Sequence, residues 1–222
     1  MTNLKTGFYF FNLITLPILI IYLILRFKDN NHSLMPLMIV AIFFSFIGDI
    51  FMLPDIEINL FKTLGICTFI VAQTFYGLLY IKSSKLGIEG SKPKLKKLWP
   101  EFVLSAILGV YASMILSFTD DLFFPSLFYS FIGIGAFILA MNRRFFVSRK
   151  SFNIVFFGAF LFIVSASITG MDFYSKDPIR HAISILAYTM AHYLISYGIL
   201  LQIQEVPEPH DLFDKSKSSI SN

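Results

Sequence analysis

The run ILIIYLIL at residues 18–25 decides the fold class. It carries no charge and does not alternate apolar with polar positions, so it does not read as a membrane β-strand, whose spans alternate over about ten residues. A helix in contact with lipid or with other apolar helices is the reading that fits. Working outward, the apolar run extends over 6–26 and similar runs recur at 34–53, 58–82, 99–118, 121–141, 151–173 and 178–202. Each is near the roughly twenty residues that a hydrocarbon core requires. The expected fold is all-α, a polytopic transmembrane helix bundle of about seven spans. It forms one domain over 1–204, followed by a tail at 205–222 whose prolines and mixed charge predict mobility.

Composition agrees. Of 222 residues, 56% are hydrophobic and 14% charged, and a mean hydropathy of +0.71 does not suit a water-exposed surface. No stretch is left for a separate soluble domain. The single cysteine, Cys67, lies in an apolar run, which excludes a disulfide framework and a Cys-rich metal site. The start, MTNLKTG, lacks the pattern of a cleaved signal, so the first run is expected to be retained as a span.

The net charge of +4 follows membrane topology rather than nucleic-acid binding. Arg26 and Lys28 fall in the first connector. Lys82, Lys85, Lys92, Lys94, Lys96 and Lys97 fall in the third, and Arg143, Arg144, Arg149 and Lys150 in the fifth. The second, fourth and sixth carry Asp55 and Glu57, Asp120 and Asp121, then Asp172 and Asp177, with only Lys176 and Arg180 as positive charges. This alternation predicts an N-terminus outside, with basic connectors and C-terminal tail in the cytoplasm. The longest connector, SSKLGIEGSKPKLKKL at 83–98, has no interleaved aromatics and reads as a solvated loop against anionic lipid. Trp99 and several tyrosines near span ends fit an interfacial belt.

A polar group at membrane depth costs several kcal/mol unless paired or wet, so the few present are the best pointers to a site. Asp49, in FSFIGDIFML, is the clearest. It either packs helices beside Gly48 or serves as a general acid. Gln73 lies in the third span with Tyr76 a turn away, and His192 in the seventh with Tyr188 at i−4. Each has a plainer reading as interhelical glue or a satisfied hydrogen-bonder. Ser165 and Ser167 in FIVSASITG suit back-bonding to their own helix. Asp172, Lys176, Asp177, Arg180 and His181 gather at the outer mouth as second choices, with Lys176 or Arg180 able to hold an anionic headgroup. No HExxH, GxSxG or GxxxxGKS signature occurs. Asp49 and His192 alone are thin grounds for a metal site, and neither metal nor cofactor is expected.

The stretch FFSFIGDIFML followed by LFKTLGICTFIVAQTFYGLLY resembles the YhhN family of lysoplasmalogenase-like membrane proteins. The matching positions are Ser45, Gly48 and Asp49, then Phe61, Gly65, Phe69, Ala72 and Tyr76. GAFLFIVSASITGMDFY and AYTMAHYLISYG continue the likeness through Gly158, Ala159, Phe162, Ser165, Tyr188 and Ala191. The family usually looks eight-spanned, and one span fewer is expected here, at the N-terminal side. Where the family has a second aspartate this chain has Ala166. Its His and Gln stand exchanged as Gln73 and His192, which predicts that positions 73 and 192 face each other.

What the resemblance implies is hydrolysis of the vinyl ether of lysoplasmalogens, releasing a fatty aldehyde and a glycerophospho-alcohol. Asp49 is then the expected acid and His192 the base or water-orienter, with Gln73, Tyr76, Ser165 and Tyr188 positioning substrate. The expected partners are a lysolipid and membrane lipids, without nucleic acid, and the oligomeric state is left open. A bacterial inner membrane suits the composition. The second reading is a family member without catalysis that binds, senses or transports an amphiphilic lipid, which Ala166 favours. The interrupted helices of a transporter are only weakly echoed, and the last span has no lysine for a retinal Schiff base.

Overall fold

The computed structural model describes residues 2–26, 32–53, 59–87, 98–117, 119–175 and 178–205. Lys28, Asp55, Glu57, Lys92, Lys94, Lys96, Lys97, Lys176, Asp177 and the tail after Glu205 lie outside the described residues, as do the side chains of Asp120 and Asp172. Seven α-helices follow in order: α1 Thr2–Arg26, α2 Met35–Phe51, α3 Asn59–Lys85, α4 Trp99–Leu116, α5 Phe123–Asn142, α6 Arg149–Ser175 and α7 Pro178–Glu205. No strand occurs among the described residues. Five of these segments, from α3 to α7, are long and apolar enough to cross a membrane. The apolar stretches Leu13–Arg26 and Met35–Phe51 are shorter. The chain is a multi-pass membrane protein built as a helical bundle. In hydrocarbon every backbone group must be satisfied within the protein, which a helix does for itself.

Helix starts are set by proline, at Pro36 for α2 and Pro100 for α4, where the missing N–H would have had no intrahelical partner. The contacts of α2 with α3 and of α6 with α7 run antiparallel, so that Lys82, Lys85 and Arg143 fall at one end of the bundle, the basic end, and Asp121 at the other, the acidic end. Contacts tie each end. At the acidic end the Asn59 side chain donates to Asp121 at 3.1 Å. At the basic end Lys82 donates to the Ser33 carbonyl at 3.1 Å, and Arg144 pairs with Glu101 at 2.7 Å while lying 4.5 Å above the Phe145 ring.

Lipid offers no hydrophobic drive between helices, so association depends on close packing through small residues. A Cβ on Gly158 would meet the Ala191 carbonyl at 3.0 Å, and one on Gly198 the Ser151 carbonyl at 3.1 Å. These two glycines let α6 and α7 pack backbone to backbone. Gly48 does the same for α2, where an added Cβ would lie 2.6 Å from the Phe69 ring of α3. α4 buries only Glu101 and Leu116, and its exposed face is apolar apart from Tyr111 and Ser113.

Candidate functional site

A cavity of about 270 Å³ lies between α3, α4, α5, α6 and α7. Asp49 of α2 reaches its wall, and it is the one carboxylate among the described lining residues. Gly48 is what brings it there, since the α2–α3 approach over Phe69 carries the next residue to the cavity. The Tyr188 hydroxyl of α7 faces Asp49 and the buried Ser45, near enough for polar interaction but outside strict hydrogen-bond geometry. The Phe69 ring packs edge-on to Tyr188 at 6.3 Å and to Tyr129 at 6.4 Å.

Gln73 of α3 and Tyr129 of α5 both line the cavity. Tyr76 turns elsewhere. Its hydroxyl meets His192 Nδ1 at 2.7 Å, and neither residue lines the cavity. His192 is fully buried, with the Phe162 ring at 4.8 Å and the Tyr188 ring at 4.6 Å, both of which do line the cavity. Its Nε2 has no hydrogen-bond partner among the described residues. His192 sits behind Phe162 and Tyr188, outside the cavity lining, and its hydrogen bond goes to Tyr76, one turn along α3 from Gln73. Three residues along a helix leave side chains about 60° apart around its axis, enough to send Gln73 and Tyr76 to different neighbours.

Ser165 lines the cavity but is held across the α6–α7 contact. Its hydroxyl lies 2.9 Å from the Ser184 carbonyl and 3.0 Å from the Ser184 hydroxyl, and Thr169 joins the cluster at 2.7 Å. Ser167 back-bonds to the Ile163 carbonyl at 2.6 Å, as sequence reading predicted for such a serine. Ala166 faces the cavity where the resemblance has an aspartate, leaving a methyl group in place of a second carboxylate. Of the second choices, His181 lines the mouth, whereas Arg180 is exposed and outside the lining.

The chain matches the family model described as YhhN family over residues 7–199. It belongs to the YhhN family. No curated protein and no solved structure matches it. The YhhN motif residues have clear structural duties in this chain. Gly48 and Gly158 allow the close helix approaches, and Phe69 and Phe162 wall the cavity around Tyr188. No cluster of three or more His, Cys, Asp or Glu able to hold a metal occurs among the described residues.

Several cavity residues escaped sequence reading, notably Tyr129, Ser126 and Ser130 of α5, Thr119 ahead of it, and Ser184 of α7. Tyr129 resembles a belt tyrosine in LFYSF. Ser165 and Thr169, four apart on one helical face, carried the available signal that α6 presents a polar stripe to a neighbour.

Proposed function

We propose that this YhhN-family chain is a membrane-embedded hydrolase of the vinyl ether bond of lysoplasmalogen-type lysolipids. The observation that carries the reading is Asp49, a lone carboxylate in the wall of a largely apolar cavity, beside Tyr188. A vinyl ether is cleaved by placing a proton on the vinyl carbon distal to the oxygen, which leaves an oxocarbenium centre at the carbon next to oxygen that water attacks. Asp49 donates that proton, and the resulting carboxylate stabilises the cation electrostatically. The same carboxylate then takes a proton from the attacking water. The hemiacetal collapses to a fatty aldehyde and a glycerophospho-alcohol, and Asp49 ends protonated as it began. One residue thus serves as acid and base, which accommodates Ala166 and the place of His192 behind the wall. Gln73 and Tyr129 supply hydrogen bonds to the polar atoms flanking the reacting bond.

A second reading is favoured by Ala166: a cavity that binds an amphiphile without hydrolysing it. Aldehyde release decides between them. Purified protein in mild detergent is given a lysoplasmalogen and its ester-linked counterpart. Aldehyde from the vinyl ether alone, lost in Asp49→Asn, supports hydrolysis; its absence from folded native protein leaves binding. We further propose a bacterial inner membrane as the location, with the acidic end of the bundle outside.

A further inference from the structure

The polar side chains of the cavity wall are concentrated toward one end, where they mix with Met52, Ile66, Ile115 and Ile185, and the other end is apolar apart from Tyr80. Toward the acidic end the lining includes Asp49, Thr119, Ser126, Thr169, His181 and Ser184. Toward the basic end it is Leu108, Gly133, Ala136, Phe137, Ala159 and Phe162. Gln73 and Tyr129 mark the boundary, and Tyr80 with Phe137 the far limit. At the rise of an α-helix, Tyr129 to Phe137 spans about 12 Å and Gln73 to Tyr80 about 10 Å. A wholly apolar ligand would bury the Asp49 carboxyl against hydrocarbon, and a wholly polar one would gain nothing from the Phe137 end. An amphiphile fits both halves, in one direction only.

Gly133 adds an independent observation. Glycine weakens a helix interior, and Gly48, Gly158 and Gly198 are tolerated because a Cβ there would crowd an atom of the neighbouring helix to under 3.0 Å. A Cβ on Gly133 would meet nothing within 4 Å, as at Gly109 and Gly135, and of these three Gly133 lines the cavity. Packing therefore does not demand glycine at 133; its effect is to leave room in the cavity wall.

We propose that the basic-end half of the cavity is a subsite for the hydrocarbon chain of an amphiphile, with the head toward the acidic end, and that Gly133 sets the length of chain admitted. This rests on the amphiphile reading given above but not on hydrolysis. Each methylene that enters the subsite tightens binding about fourfold until the chain reaches Tyr80 and Phe137, after which added length gains nothing.

The test uses the full chain in detergent and an ether lysolipid with a photoactivatable diazirine at its tail end. After irradiation, crosslinked peptides are mapped by mass spectrometry, and aldehyde release is measured on the same preparation. Expected are saturable crosslinks at 133–140 and 155–162. Expected too is a loss of affinity in Gly133→Leu for long-chain homologues, by tenfold or more, with short-chain homologues bound as before. Gly133→Ala should show the same preference in weaker form. Crosslinks at Ser126, Thr169 or His181, or no saturable crosslink in the native chain, would overturn the proposal. So would equal weakening of long and short chains by folded Gly133→Ala. Basic-end crosslinks without aldehyde keep the tail subsite and remove hydrolysis; aldehyde with acidic-end crosslinks does the reverse.

Discussion

Arg143 is fully buried at the basic end, and removing its partner should harm the protein more than removing Arg143 itself. Its Nε donates to Ser83 at 2.8 Å, and its Nη2 donates to Ser151 at 2.9 Å and to Gln202 at 3.0 Å. Nη1 has no partner among the described residues, and every acceptor is neutral. Ser83 also donates to Gln202, Gln202 donates back to the Ser83 carbonyl at 2.7 Å, and Ser151 donates to the Gly198 carbonyl at 2.7 Å. In Arg143→Met these remaining bonds persist and a costly buried charge is gone, so stability should stay within about 1 kcal/mol of native. Gln202→Met instead takes a charge-assisted bond from a guanidinium that cannot reach water and a neutral bond from Ser83, a loss of about 3 kcal/mol. For a chain of this length that corresponds to a midpoint lowered by about 6–12 °C. Thermal unfolding in one mild detergent, read as loss of the monodisperse peak, measures it. The double variant should recover most of the loss. If Arg143→Met falls as far as Gln202→Met, or the double variant recovers nothing, the charge itself is stabilising and the reasoning is refuted.

Gly158→Ala should cost about 2 kcal/mol or more, because its Cβ would press on backbone atoms of α7 at 3.0 Å that cannot rotate away; the same unfolding assay reads it, and an unchanged midpoint would mean α6 and α7 are not in contact there. Tyr76→Phe leaves both His192 ring nitrogens without a partner and should cost about 1–3 kcal/mol, while aldehyde release per folded molecule stays within severalfold of native because the pair lies outside the cavity. A loss comparable with that of Asp49→Asn would return His192 to the chemistry. A cysteine replacing Lys85, in a chain with Cys67→Ser, should react with an impermeant thiol reagent only after permeabilisation, and one replacing Asp121 before it. The opposite pattern would invert the orientation.

The helical class and the positions of the spans were legible in the sequence, since run length and absence of alternation depend only on the solvent a segment must face. The predicted 58–82 and 178–202 differ from α3 and α7 by a few residues, because the helices continue past the apolar stretch into the basic end. Asp49 was legible too, because a carboxylate inside a span is costly wherever its neighbours lie. Which polar groups meet was not. Gln73 and Tyr76 looked like one face, yet a rotation of about 60° gives one to the cavity and the other to His192. Arg143 read as one more basic connector residue, but the chain turns at Arg143–Phe145 and folds it inward against α3, α6 and α7. Hydropathy records how much of each helix leaves water. Where a side chain points, and what meets it, depends on the rotation and separation of neighbouring helices, fixed here by the close approaches at Gly48, Gly158 and Gly198.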